Sequence, residues 1–154
     1  MCARTYLSRG SILKKSTTLA SRWDALVQLY GQIASRLENI LNIRHEIGLT
    51  DFLALRALAR HFGPHMRIQQ LAAELGISHS AASRSVGKLE KVHILARYEC
   101  SADRRGTYTE LTDAGRAVLK AAEITYTAAV TEMMSSVAAN ELLQRASGQS
   151  VPMD

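Results

Sequence analysis

The chain has 154 residues, 47% of them hydrophobic, 21% charged and 5% aromatic, a mix that suits one helical domain with a real core and excludes disorder, collagen or a propeller. Its net charge of +5 is uneven: residues 1–50 hold seven basic and three acidic side chains, residues 51–112 nine and six, and residues 113–154 three and five. A basic front and middle point to a polyanionic partner, while two remote cysteines, Cys2 and Cys100, exclude a disulfide scaffold and the usual zinc site and fit a reducing, cytoplasmic setting.

Residues 1–17 are basic, rich in Ser and Thr, and free of acids. Such a composition loosely imitates a transit peptide, but it reads more simply as a flexible polar arm. From Leu19 the apolar residues Trp23, Leu26, Tyr30, Ile33, Leu37 and Ile40 follow at alternating spacings of four and three. That spacing is an a/d seam and predicts a long helix over about 18–43 that packs on something equally long. Burial within its own subunit and a dimer interface both satisfy it. No apolar run is long enough to span a membrane.

Thr50 is placed to cap a second helix, whose face would be Phe52, Leu55, Leu58, Ala59 and Phe62, ending at Gly63-Pro64. Ile68 to Leu75 reads as a short helix stopped by Gly76. Ser78 then caps a helix running to about Val92, with Ala82, Val86 and Leu89 inward. The period then changes. Leu95–Cys100 and Thr107–Leu111 are β-prone and flank a polar loop, which predicts a hairpin. Thr112 restarts a helix to about Val137, on a face of Ala117/Val118, Ala121, Thr125 and Ala128/Ala129. A last short helix from Ala139 or Asn140 to about Ala146 precedes a frayed tail over 147–154.

Helix, helix, tight glycine turn, helix and hairpin is the order of a winged helix-turn-helix, in which the helix after the turn enters the DNA major groove. With Ala82, Val86 and Leu89 inward, that helix turns out His79, Ser80, Ser83, Arg84, Gly87, Lys88 and Lys91. Its centre carries cations and no acid. Short hydroxyls permit close approach to bases, Arg84 suits bidentate contact with guanine, and Lys88 and Lys91 suit phosphates. Arg104 and Arg105, beside Asp103, occupy the hairpin tip, from which arginine can enter a narrow minor groove. Gly87 in mid-helix costs about 1 kcal/mol relative to Ala and has no evident cause in the sequence.

Together Leu71-Ala-x-x-Leu75-Gly76, Ser80-x-x-Ser83-Arg84, Leu89-Glu90, Asp103-Arg104-Arg105 and Leu111-Thr112-x-x-Gly115-Arg116 resemble the MarR family of bacterial transcription regulators. The likeness runs from about Leu49 to Leu119. It implies a fold that is mainly α with a small β-hairpin wing: a winged helix-turn-helix over about 50–112, flanked by dimerisation helices at 18–43 and 112–146 within one domain of 18–146. It also implies a homodimer on pseudo-palindromic double-stranded DNA, acting mostly as a repressor released by a small ligand or by thiol oxidation. The DNA-binding set is then Ser78, His79, Ser80, Ser83, Arg84, Lys88, Lys91, Arg104 and Arg105. A small aromatic or phenolic effector would meet Trp23, Tyr30, His45 and Tyr126. A winged helix that docks a protein instead of DNA is the alternative.

Nothing supports catalysis or a cofactor. His45, His61, His65, His79 and His93 form no paired site with acids, and no Gly-rich phosphate loop or nucleophile motif occurs. No metal site is expected. Redox sensing would need a reactive thiol; nothing near Cys2 or Cys100 clearly lowers a thiol pKa, so ligand sensing is favoured over it.

Overall fold

A computed structural model describes residues 18–63, 65–99 and 107–147. The first helix, α1 (Leu19–His45), is capped by the Thr18 hydroxyl, which accepts from the Ser21 amide at 3.2 Å. It ends on Glu46, which takes the left-handed conformation (φ 59°) more often given to glycine. Its buried row is Ala25, Leu29, Leu37 and Leu41, with Ile33 and Ile40 half-buried. The heptad seam expected from the sequence therefore splits. Its C-terminal half enters the protein, whereas Leu19, Trp23, Leu26 and Tyr30 remain exposed.

Three contacts define what α1 packs on. Arg22 Nε donates to the Ala146 carbonyl at 2.7 Å, Arg36 pairs with Glu132, and His45 Nε2 meets Thr125 Oγ1 at 2.8 Å. As one number of each pair rises the other falls, so α1 runs antiparallel to α5 (Asp113–Met134) and α6 (Val137–Ser147). Ala25 and Leu29 pack with Ala139, Leu142 and Ala146, and Leu37 packs with Ala129 and Met133. The α5 face is Gly115, Ala122, Thr125, Ala129 and Met133. Of the face expected, Thr125 and Ala129 are buried and Val118 half-buried, whereas Ala117, Ala121 and Ala128 are exposed. The break between α5 and α6 comes at Ser135 and Ser136, slightly earlier than expected. There the Ser136 hydroxyl accepts from the Ala139 amide at 3.2 Å.

The main core joins α2 (Leu49–Arg60), α3 (Ile68–Leu75), α4 (His79–Lys91) and the sheet through Phe52, Leu55, Met66, Leu71, Val86, Leu89 and Leu95. Leu41, Ile47 and Ala122 bring the long helices into the same cluster. The α2 face ends earlier than its sequence suggested, because Ala59 and Phe62 are exposed, and it is wider, because Ala54 and Ala57 are buried beside Phe52, Leu55 and Leu58. Its N-cap is Gly48 rather than Thr50.

The hairpin is present, with β2 (Leu95–Glu99) antiparallel to β3 (Thr107–Leu111) in the register Leu95↔Leu111 to Glu99↔Thr107. A two-residue strand, β1 (Met66–Arg67), adds to the other side of β3 and gives the order β1-β3-β2. Among the described residues the architecture is six helices with a three-stranded antiparallel wing. Arg104, Arg105, Cys100, Cys2, the arm at 1–17 and the tail after 147 lie outside the described residues.

Candidate nucleic-acid interface

The turn between α3 and α4 is built as its residues dictate. Gly76 ends α3 at φ 65°, and the Ile77 amide bonds back to the Ala72 carbonyl at 3.0 Å, satisfying carbonyls that the helix end leaves open. Ser78 Oγ accepts from the Ala81 amide at 3.2 Å and starts α4. That same oxygen lies 3.0 Å from Ser80 Oγ, so the Ser78 hydroxyl is committed to the cap.

Ala82, Val86 and Leu89 are fully buried, as the sequence required. The opposite side exposes His79, Ser80, Arg84, Lys88 and Lys91, while Ser83 and Gly87 are half-buried at its margin. Among the described residues neither Arg84 nor Lys91 has an ion-pair partner. Lys88 does. Its Nζ lies 2.7 Å from Asp51 Oδ2.

Asp51 is the central residue that sequence reasoning missed. It occupies the third position of α2 and is only 5% exposed. Its Oδ2 accepts from the Gly48 amide at 3.1 Å, and its Oδ1 from Ser85 Oγ at 2.6 Å. Ser85 is buried beside Val86 for that reason. The adjacent amide, Leu49 N, donates to Glu38 Oε2 of α1 at 2.6 Å. Two acids thus close the open N-terminus of α2, and one of them also holds α4. Gly48-x-x-Asp51 carries the three-residue spacing of a cap and its reciprocal acid, a signal hidden by the more usual cap residue at Thr50. Glu38, Thr50, Asp51, Arg84 and Lys88 line an open cleft between the α1–α2 corner and α4.

Gly87 has room. A Cβ there would meet only Arg97 Nη2, at an ordinary 3.6 Å, and Arg97 is anchored beside α4 by Glu90, with Nε 2.7 Å from Oε2. At the base of the wing, His65 stacks on Tyr98 with ring centres 4.2 Å apart and pairs with Glu110 at 2.9 Å. Arg67 Nε donates to the Tyr108 hydroxyl at 2.8 Å.

The four effector candidates do not converge. Trp23 and His45 are 22 positions apart on one helix, about 33 Å at 1.5 Å per residue. Trp23 and Tyr30 are exposed, whereas Tyr126 stacks on Phe52 at 4.7 Å beneath Arg56. His45 is half-buried on Thr125 and borders a shallow cleft with Ile43, Arg44, Val118 and Ala121. Among the described residues no cluster of His, Cys, Asp and Glu is placed to hold a metal, and no helix is long and apolar enough to cross a membrane.

Residues 45–106 match the model of the MarR family. The winged-helix core of this chain is of the MarR type. The chain is similar to a MarR family transcriptional regulator from Streptomyces coelicolor, solved in complex with DNA. They share 26% identity over 72% of this chain and 70% of that one, with a TM-score of 0.68. It is similar as well to the transcriptional regulator BldR from Sulfolobus solfataricus, at 27% identity over 79% and 86%, with a TM-score of 0.69. BpsR of Bordetella bronchiseptica, whose DNA binding is regulated by 6-hydroxynicotinic acid, shares the MarR-like fold at 18% identity, covering 81% and 97%, with a TM-score of 0.66. A search of the curated proteins finds no match.

Proposed function

We propose that this chain is a sequence-specific DNA-binding transcription regulator that acts as a homodimer on pseudo-palindromic sites. The observation that carries the reading is the outer face of α4, where Ser80, Arg84 and Lys91 are exposed and the two cations have no ion pair among the described residues. A solvated helix face usually interleaves signs; this one leaves two cations available to an anion on a helix that a winged helix inserts in the major groove. Ser80, Ser83 and Arg84 read bases, Lys91 and His79 meet the backbone, and Arg104 and Arg105 of the wing enter the minor groove.

The dimer rests on the row Leu19, Trp23, Leu26, Val27 and Tyr30, which α1 exposes along one side. As a repressor the protein would be released by a small aromatic or phenolic effector. The cleft of Ile43, His45, Val118 and Ala121 supports that role, having apolar walls and an imidazole at its edge. Tyr126 lies one residue beyond the Thr125 that holds His45.

Binding of fragments from the source genome, followed by mobility shift on the recovered site, tests the whole reading. Arg84→Ala should cost about 1–3 kcal/mol of specific binding and relax preference at one base per half-site. A protein that binds no duplex at any salt concentration would instead be a winged helix serving protein docking.

A further inference from the structure

Three cations stand on the outer face of α4: Arg84, Lys88 and Lys91. They are not equivalent. Arg84 and Lys91 are without ion pairs among the described residues, but Lys88 reaches across to α2 and places its ammonium 2.7 Å from the Asp51 carboxylate. Asp51 is almost wholly buried, whereas Lys88 is a little over half exposed. The two other donors to that carboxylate, the Gly48 amide and the Ser85 hydroxyl, are neutral.

A buried carboxylate deprived of the one cation that reaches it among the described residues is strongly unfavourable, because neutral donors do not replace a lost charge in a place water reaches poorly. A DNA phosphate remains partly in water and has counterions of its own. Competition for Lys88 between these two anions therefore favours the internal one. Ser85 and Lys88 are three residues apart and lie on neighbouring turns of one helix side, so the same carboxylate fixes the direction of the lysine stem as well as its charge.

Resting on the DNA-binding reading above, we infer that Asp51 withholds Lys88 from the phosphate backbone. The recognition helix then presents two effective cations per protomer rather than three. Sequence-independent affinity comes almost entirely from neutralising phosphates, and each one adds about 0.9 to the slope of log affinity against log salt. Removing one cation from that count weakens non-specific binding while leaving the base contacts of Arg84 in place. Asp51 is thus a specificity-determining residue that touches no DNA.

The test measures binding of the full chain to a duplex of unrelated sequence and to its own site, by fluorescence anisotropy between about 50 and 200 mM salt. Asp51→Asn keeps the size of the side chain and one acceptor oxygen, which serves Ser85, while it gives up the acceptor for the Gly48 amide and releases Lys88. It should steepen the slope by about 0.9 per protomer, raise non-specific affinity several-fold at low salt, and narrow the ratio of specific to non-specific binding. Lys88→Gln should leave the wild-type slope unchanged. A Lys88→Gln slope shallower by about 0.9 per protomer would mean that this lysine already holds a phosphate, and the inference would fall. An unchanged slope in Asp51→Asn, with a native circular dichroism spectrum, overturns it equally. If either single variant does not fold, Asp51→Asn combined with Lys88→Gln, which leaves no charge buried alone, decides: it should keep the wild-type slope, and a slope shallower by about 0.9 per protomer would overturn the inference. Wild-type protein that binds neither duplex would defeat the DNA reading itself, a result distinct from either slope outcome.

Discussion

Two glycines show how differently one residue type can be used. At Gly115 a Cβ would stand 2.2 Å from the Ile94 carbonyl oxygen, which is backbone and cannot step aside. The start of α5 is pressed against that carbonyl by Thr112, whose hydroxyl accepts from the Gly115 amide at 2.9 Å and lies 2.8 and 3.0 Å from the carbonyls of His93 and Ile94. The Leu111-Thr112-x-x-Gly115 pattern that carried the family resemblance is therefore architecture: a buried strand end, a cap, and a close approach. Gly115→Ala is expected to destabilise the fold by about 1–3 kcal/mol, read as a lowered urea midpoint at unchanged m-value. Gly87 is the reverse case. It lies inside α4 with open space around it, so Gly87→Ala should gain about 1 kcal/mol of helix propensity and raise Tm by about 2–4 °C. If the helix backbone approaches DNA at this turn, the same methyl should weaken operator binding, so a hotter-melting, poorer-binding variant is the expected outcome.

Among the elements, legibility followed how local the deciding interaction is. The helix-turn-helix was readable because Gly76, Ser78 and the Ala82/Val86/Leu89 row each act within a turn or two of sequence. Ser78→Ala should accordingly cost about 1 kcal/mol. Thr112→Ala should cost more than that in the same denaturation assay, since its hydroxyl also ties α5 to the end of α4's connection to β2. The strand β1 was not readable, because two residues carry no alternation and its pairing partner Thr109 lies more than forty positions away. Asp51 failed for a related reason. Its role comes from Ser85 and Lys88 on another helix, and nothing near it in sequence announces them. The effector set is divided by the fold: His45 and Tyr126 flank Thr125, while the length of α1 keeps Trp23 far from His45. Where Lys88 was read from its helix alone it looked like a phosphate contact; the fold gives it an anion first.

For the molecule as a whole, the question left by the heptad seam has a divided answer. Below Ile33 the row turns inward against α5, so the subunit uses that part itself. Above it, α6 covers the side bearing Ala25 and Leu29, while Leu19, Trp23, Leu26 and Tyr30 stay exposed at 81, 65, 45 and 70%. Four large apolar side chains in one stripe form a contiguous patch of a kind that monomers seldom leave in water, and Trp and Tyr are the residues that dominate interface energetics. A second copy packed across this stripe would join two α4 helices in one assembly, as paired half-sites require. Trp23→Ser with Tyr30→Ser is expected to weaken self-association by at least about 30-fold, from the loss of roughly 2 kcal/mol or more, measured by sedimentation equilibrium. Neither residue enters a core of the subunit, so the variant should retain its circular dichroism spectrum. Trp23 is the only tryptophan in the chain, and its wild-type emission should therefore shift to the red on dilution as the dimer dissociates. DNA affinity should fall with the dimer, because each protomer then engages a half-site without the effective concentration that its partner provides. A variant that remains dimeric while binding DNA normally would move the interface elsewhere on the molecule and leave the α1 stripe without a role.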